Sequence, residues 1–384
     1  MNCLLAVPWD QSQGGVTHVA VSLARSLEAR GHRVIFLFPG DSWRLRSIMS
    51  RRGFPALVCR FRDYPAPNSG LRGRISWLSA VLTSLPQLAC FSRAQRIDLI
   101  NVHYPGGGFA LLDDLAGKLD VPLVVSTHGS DLISAEGHGY DSAGLLRLLA
   151  DADAVVAPSR TFLGDVEALY PSMRGKSSYI FNGYDPTEFP GPGTPVTNAG
   201  REINILCVAA QTTKKGIDVL LPALREIPRD DLQLRLVGDG PRRAEFEDLS
   251  RRLGLANRVT FVGSLERDGL SREMRACDFF VLPSRSESFG LAALEAMACG
   301  KAVIASTVGG LRDLIEDDVT GLSVPPDDVS ALAKAIDRLA SDADLRRRLG
   351  DNARTVARRY TVDATADKYE QLFQSLIERR RATV

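Results

Sequence analysis

Twice along this chain, apolar runs of strand length alternate with amphipathic stretches of helical period, a pattern that leads to parallel sheets layered with helices. Strand-like runs lie near 2–8, 33–38, 56–60, 98–103, 121–127, 154–157 and 178–181, then near 203–209, 232–237, 258–262, 278–282, 301–305 and 321–324. Between the two series runs PTEFPGPGTPVTNAG (186–200), where four Pro and three Gly rule out a helix or a central strand. The expected fold is α/β: two doubly wound, Rossmann-like parallel-sheet domains over 1–185 and 201–360, joined by that linker. The last helical stretch, 361–384, is longer than closing the second sheet requires and is expected to cross back to the first domain.

At 384 residues the chain has room for two or three cores. Its 45% hydrophobic and 24% charged content excludes disordered and fibrous classes. A net charge of +1 supplies no overall field for nucleic acid. The charge is uneven, however: from Arg25 to Arg96 thirteen Arg and no Lys stand against Glu28, Asp41 and Asp63, a local net of +10. The six Cys are scattered, with no CxxC and no His at ligand spacing, which argues against a disulfide framework or a zinc site and for a reducing cytoplasm. MNCLLAVPWD lacks a leading basic residue and a cleavage site, and reads as a buried strand rather than a signal peptide. The longest uncharged window, Ile75 to Ser92, carries Thr83, Pro86, Gln87 and four Ser, so no transmembrane helix is expected.

Ligands of doubly wound sheets bind beyond the carboxyl ends of the strands, so the loops there carry the candidates. Gly14-Gly15 opens the first helix, where close backbone approach and free amides suit an anion, although a tight turn accounts for the same dipeptide. GxGxxG is absent there, which speaks against a dehydrogenase. His128-Gly129-Ser130-Asp131 follows the run 122–127, a position that favours a site over a structural His. Lys214 and Lys215 precede Gly216 and a helix, so ammonium groups and a helix N-terminus point to phosphate, with a solvated lysine pair as the alternative. Gly238-Asp239-Gly240-Pro241 is a second loop for close approach.

The strongest signal lies in 282–306. Ser284, Ser286 and Glu287 occupy a loop, Gly290 begins a helix, and Glu295 comes eight residues after Glu287. On one helix those carboxylates would stand about 12 Å apart along the axis. That is too far for an acid–base pair, which in glycosidases spans about 5 to 9.5 Å. The spacing suits a grip on separate hydroxyl-rich parts of one elongated ligand. Glu295 sits among Leu291, Ala292, Ala293, Leu294, Ala296 and Met297, so its carboxylate wants a partner, and an Arg in the core is the alternative to a ligand.

Glu287 to Glu295, with Phe289-Gly290-Leu291 between them and Ala296-Met297-Ala298-Cys299-Gly300 following, resembles the E-x7-E signature of retaining glycosyltransferases of family 4. Gly14-Gly15-Val16, THGSD, VVAPSRTF (155–162), NGYD (182–185), KKG (214–216), VGDGP (237–241), VGGLRDLI (308–315) and TGLSVPPDD (320–328) fall in that family's order over most of the chain. The resemblance implies the GT-B fold and a nucleotide-diphosphate sugar donor, UDP- or GDP-linked, held mainly by the second domain. It also implies a glycan or lipid-linked acceptor held by the first domain, no cofactor and no obligatory metal. His128, Glu287 and Lys215 are the catalytic residues it implies: Glu287 on the donor sugar, Lys215 with Lys214 toward the diphosphate, His128 near the sugar's reacting face. Glu295 would take the ribose hydroxyls, the amides around Phe289, Gly290 and Leu291 the sugar and phosphate, and Gly14-Gly15 would close over the phosphates. Ser286, Gly238 and Gly240 complete the donor-binding set.

Amides and a Lys aimed at a departing diphosphate lower the barrier to sugar transfer without a metal. The triplets Asp151 to Asp153 and Asp342 to Asp344 lie before a strand and within a helical region, unlike a metal site. Where the family often places an Arg five or six residues before the KKG lysine, this chain has Ala209 and Ala210. That departure keeps a non-catalytic nucleotide-sugar-binding subunit open as a reading, beside an epimerase or disaccharide synthase of the same fold. The basic segments Ser42 to Phe54 and Leu71 to Arg96 interleave Arg with Trp43, Trp77, Leu78, Leu82, Leu85 and Phe91. They suit an interfacial face on anionic lipid as readily as an ordinary amphipathic helix with a basic edge. The expected location is cytoplasmic, peripheral at the inner face of the cytoplasmic membrane.

Overall fold

The computed structural model of the chain describes residues 1–8, 15–50, 53–66, 70–133, 139–140, 142–191 and 202–382. Gly14 and most of the segment 186–200 lie outside them. The chain divides into two compact units, Met1–Asn182 with Val362–Val384, and Gly183–Thr361. The first unit thus ends at Asn182 rather than at 185, and the start of the Pro/Gly-rich segment is docked on the second. Phe189 is 1% exposed there, with the Arg267 guanidinium 4.7 Å from its ring centroid, and Ser271 donates to the Glu188 carbonyl.

In the first unit the order is β1 (Asn2–Ala6), α1 (Gly15–Ala29), β2 (Arg33–Pro39), β3 (Arg46–Met49), β4 (Pro55–Cys59), α2 (Leu71–Ala94) and β5 (Leu99–His103). It continues with α3 (Leu111–Leu119), β6 (Leu123–Ser126), α4 (Ala143–Asp151), β7 (Ala154–Ala157), α5 (Arg160–Leu169) and β8 (Ser177–Tyr179). The sheet runs β3-β4-β2-β1-β5-β6-β7-β8 and is parallel except for β3, which pairs antiparallel with β4 at the edge. The sequence reading missed β3. Arg46, Ser47 and Met49 are exposed, so the strand lacks the apolar run that marks its buried neighbours.

The sheet's two faces bury different helices. Ile100, Val102, Val125 and their neighbours pack with α2 to α5. Leu5, Phe36, Leu99 and Val124 pack with α1 and with the last helix of the chain, Val362–Ala382. That helix presents Ala366, Tyr369, Phe373, Leu376 and Ile377, three and four residues apart, as one apolar stripe. Truncating the fully buried Phe373 would cost about 3–5 kcal/mol.

The second unit reads β9 (Ile203–Val208), α6 (Ile217–Glu226), β10 (Leu232–Val237), α7 (Arg243–Arg252), β11 (Val259–Gly263), α8 (Arg267–Ala276) and β12 (Phe279–Leu282). Then follow α9 (Leu291–Ala298), β13 (Ala302–Ser306), α10 (Leu311–Leu314), β14 (Gly321–Val324), α11 (Val329–Ser341) and α12 (Ala343–Ala357), with the terminal Val362–Ala382 as α13. Its sheet, β11-β10-β9-β12-β13-β14, is wholly parallel. Strand order reverses between β9 and β12 here, and between β1 and β5 in the first unit. Such switch points open a crevice beyond the carboxyl ends of the strands.

By length and composition alone α2 is apolar enough to cross a membrane, a test that the core helix of a soluble protein also passes. Its Ser, Thr and Gln are too few to offset the apolar residues. Even so, one face of the helix, including Leu85, Leu88 and Ala89, is built into the core of the first unit.

Candidate active site

The carboxyl ends of β9 and β12 bring the second unit's principal candidates together. After β9 the chain turns through Thr213–Lys215 into α6, and the Lys215 ammonium forms an ion pair with the Glu287 carboxylate in the loop after β12. Both are mostly buried, at 21% and 14% side-chain exposure, so the pair is shielded from bulk water. Glu287 lies against the start of α9: a Cβ on Gly290 would stand 3.7 Å from Glu287 Cγ. Gly290, left-handed at φ +95°, is the N-cap and offers no side chain to cap the helix. The amides of the first turn are thus left as donors for an anion. Leu291 is half-buried at that turn, Ser286 half-buried before it, and Phe289 buried with its ring 6.1 Å from that of Tyr360.

Arg285, absent from the sequence reading, locks these loops together. Its guanidinium bonds both oxygens of Asp218 at 2.8 and 2.9 Å and reaches Asp327 and the Thr213 carbonyl, while its backbone N–H donates to the Lys214 carbonyl. Burial would raise the Asp218 carboxyl, but the hydrogen bonds and charge of Arg285 outweigh it and hold it below its ordinary value. Gly309 serves the same assembly: a Cβ there would lie 1.8 Å from the Glu287 carbonyl oxygen. Gly238 and Gly240 are crowded by the backbone of Ala209 and Gln211, at 2.2 and 2.6 Å from where a Cβ would sit. Packing between loops therefore accounts for these two glycines without a ligand. Buried polar atoms with no partner among the described residues, Gln211 Oε1, Ser284 Oγ and Ser306 Oγ, gather at the ends of β9, β12 and β13.

Glu295 lies deeper. It is 2% exposed within α9, and its Oε1 accepts from the Arg267 guanidinium at 2.8 Å. Arg267 also bonds Glu188 at 2.7 Å. The partner that an apolar helix demanded is thus an Arg in the core, and Oε2 takes no partner among the described residues. Burial raises the Glu295 carboxyl despite Arg267.

In the first unit, His128 follows β6, and the motif around it has a local explanation. The backbone N–H groups of His128 and Gly129 both donate to the Asp131 carboxylate, at 2.9 and 2.6 Å, while Ser130 Oγ meets the Tyr104 hydroxyl at 3.0 Å. Tyr104 holds φ +59°, a left-handed conformation that a residue other than Gly adopts only under constraint. His128 Nε2 lies 3.1 Å from Nδ1 of His103, and burial lowers the His128 pKa to about 4. Gly15 opens α1 after the first strand. Gly14, before it, lies outside the described residues.

Among the described residues no group of three His, Cys, Asp or Glu could hold a metal. The aspartate triplets have structural partners: Asp153 takes the Leu123 amide and Arg380, and Asp342 caps α12. Cavities of about 210 and 330 Å³ lie elsewhere, the first lined by Met1, Asp98 and Arg381 among others, the second by Asn204, Glu273 and Cys277 among others.

Residues 13–188 match the family described as Glycosyltransferase Family 4, and residues 195–356 the family described as Glycosyl transferases group 1. A 2-deoxystreptamine N-acetyl-D-glucosaminyltransferase of Streptomyces fradiae is 31% identical over 374 residues, 90% of this chain and 87% of that protein. The sucrose-phosphate synthase of Thermosynechococcus elongatus superimposes with a TM-score of 0.77 at 26% identity, covering 98% of this chain and 99% of its own. HepE of Anabaena, solved in complex with UDP, does so with a TM-score of 0.76 at 22% identity, covering 98% and 100%.

Proposed function

Since this chain belongs to the glycosyltransferases of family 4 and has the GT-B fold, we propose that it is a retaining enzyme, moving a hexose-type sugar from a UDP- or GDP-sugar to a cell-envelope glycan or glycolipid. The observation that carries the reading is the Lys215–Glu287 ion pair beside the uncapped N-terminus of α9. Lys215, with Lys214 and the amides of Gly290 and Leu291, neutralises the departing diphosphate, which supplies most of the rate. Glu287 holds the sugar hydroxyls, and Glu295 turns Oε2 to the ribose while Arg267 holds Oε1. His128 is the sugar-facing group of the first unit. Attack comes from the face that the leaving group departs, and the diphosphate oxygen released from C1 takes the acceptor's proton. No protein base is then required.

UDP, the ligand in the HepE complex, is the first probe. Calorimetric titration is expected to show binding, with Lys215→Ala weakening it at least tenfold, which is about 1.4 kcal/mol. Glu287→Ala is expected to keep UDP binding and lose sugar transfer. Flat titrations with every sugar nucleotide, or full transfer by both variants, would refute the assignment.

The acceptor reading is supported by α2. Leu71, Ile75, Leu78 and Leu82 are 74, 56, 52 and 67% exposed and fall on one helical face. The helix contains no acidic residue and carries Arg72, Arg74 and Arg93. An apolar stripe flanked by Arg, in the segment of local charge +10, matches an anionic lipid surface, where each basic residue adds about 1 kcal/mol. We assign this face to such a surface, with the other face kept in the core. Co-sedimentation with anionic vesicles at low salt is expected, and Leu78→Glu/Leu82→Glu should abolish it. Equal binding to neutral and anionic vesicles removes the idea, and detergent-dependent extraction would mean that α2 spans.

A further inference from the structure

On the sheet face covered by α1 and α13, a line of buried polar side chains is left unused by the sugar-transfer reading. Asn101 and His103 are fully buried, Ser126 is 1% exposed and Tyr369 3%. They are linked one to the next. The Tyr369 hydroxyl lies 3.0 Å from Ser126 Oγ, Ser126 Oγ–H donates to Asn101 Oδ1 at 2.9 Å, Asn101 Nδ2 lies 3.0 Å from His103 Nε2, and His103 Nδ1 lies 3.1 Å from His128 Nε2.

Counting protons gives the chain a direction. Ser126 gives its proton to Asn101, so its oxygen must accept from Tyr369. The amide nitrogen of Asn101 can only donate, so His103 Nε2 must be bare. A neutral His103 then carries its proton on Nδ1 and gives it to His128 Nε2, which must be bare in turn. Burial holds both rings neutral, His103 well below its ordinary value and His128 at about 4. Asp131 meanwhile fixes the His128 backbone, so both the backbone and the ring of His128 are held.

We infer that Asn101, His103 and Tyr369 are positioning residues that fix His128 as the neutral tautomer protonated on Nδ1, a hydrogen-bond donor to the sugar that takes up no proton through Nε2. The role given to His128 rests on the proposed function; its tautomer does not. Tyr369 also gives the terminal helix a task at the site, from 243 residues beyond Ser126. Because His128 Nε2 is occupied, the acceptor's proton leaves with the diphosphate oxygen whose bond to C1 breaks as the new C1–O bond forms.

The test is a long-range proton–nitrogen spectrum of the full-length protein labelled with nitrogen-15 histidine, at pH 7. His128 is expected to show a protonated Nδ1 and a bare Nε2. Asn101→Asp replaces the donor by an acceptor, so it should invert the chain and move the His128 proton to Nε2. His103→Gln can still accept from Asn101 and donate to His128, and should keep the wild-type signature, whereas His103→Leu should lose it. Hydrolysis of UDP-glucose should fall at least tenfold in the Leu variant and stay within about threefold in the Gln variant. A wild type protonated on Nε2, or an imidazolium at pH 7, overturns the inference. So does an unchanged His128 signature in Asn101→Asp or, if that variant does not fold, in His103→Leu. A wild type with the expected spectrum but no turnover of any sugar nucleotide would support the tautomer and refute the function it serves.

Discussion

Replacing Arg267 by Met keeps the aliphatic stem against Phe189 but leaves Glu295, with its side chain 3% exposed, without a cation. At 2.8 Å the attraction is about 6 kcal/mol for an effective dielectric near 20. Part of that only offsets desolvation, and removing one partner of a buried pair costs about 3–5 kcal/mol. Arg267 retains 23% exposure, so the lower end applies, about 3 kcal/mol. For a unit of this size that lowers Tm by about 9 °C. The loss has a pH signature. Without Arg267, burial and the Glu188 charge act unopposed on a carboxyl already raised above its ordinary value. Between the two pKa values the folded state binds a proton that the unfolded state has released, so stability rises as pH falls through the folded pKa toward the unfolded one. Scanning calorimetry should show the largest deficit at pH 8 and a smaller one at pH 5. Arg267→Met/Glu295→Gln, which buries no ion, should recover about 2 kcal/mol of the loss. An equal deficit at both pH values, or a double variant no better than the single, would show that Glu295 is not held as a buried anion by Arg267.

Gly309→Ala should lower Tm and weaken UDP binding at least tenfold, because a Cβ 1.8 Å from the Glu287 carbonyl forces the two loops apart; unchanged titrations would contradict this. Arg285→Ala should release Asp218, whose depressed carboxyl stabilises the fold above its unfolded pKa and loses that contribution as pH falls. An acid-unfolding curve no flatter than wild type would count against it. The half-buried, neutral His128 acts in the same direction: its folded pKa of about 4 lies below 6.5, so the unfolded state binds more protons in between. Stability should drop by about 3 kcal/mol from pH 7 to 4 through this residue, and His128→Gln should remove that part of the slope.

The Lys215–Glu287 pair was half legible in the sequence. Each residue could be placed at the carboxyl end of a strand, but nothing local says that positions 72 apart touch. Gly238 and Gly240 show the reverse. Glycine in a loop after a strand signals close approach, yet only the fold reveals that the neighbour is the backbone of 209–211. Arg285, Arg267, His103 and Tyr369 escaped notice because single polar residues carry no periodic signal. Asn101 and His103 left a faint one, two polar side chains at period two inside a wholly buried strand.

By itself the sequence determined the two α/β units, most of their strands and the loops able to bear chemistry, because hydrophobic period and Gly/Pro punctuation act over a few residues and are written there directly. Only the tertiary structure decided that Glu295 meets Arg267, that Glu287 meets Lys215, and that a tyrosine of the last helix reaches His128 through Ser126, Asn101 and His103. Burial turns these distant side chains into obligatory partners, since a polar group removed from water must be satisfied by whatever the packed chain brings beside it.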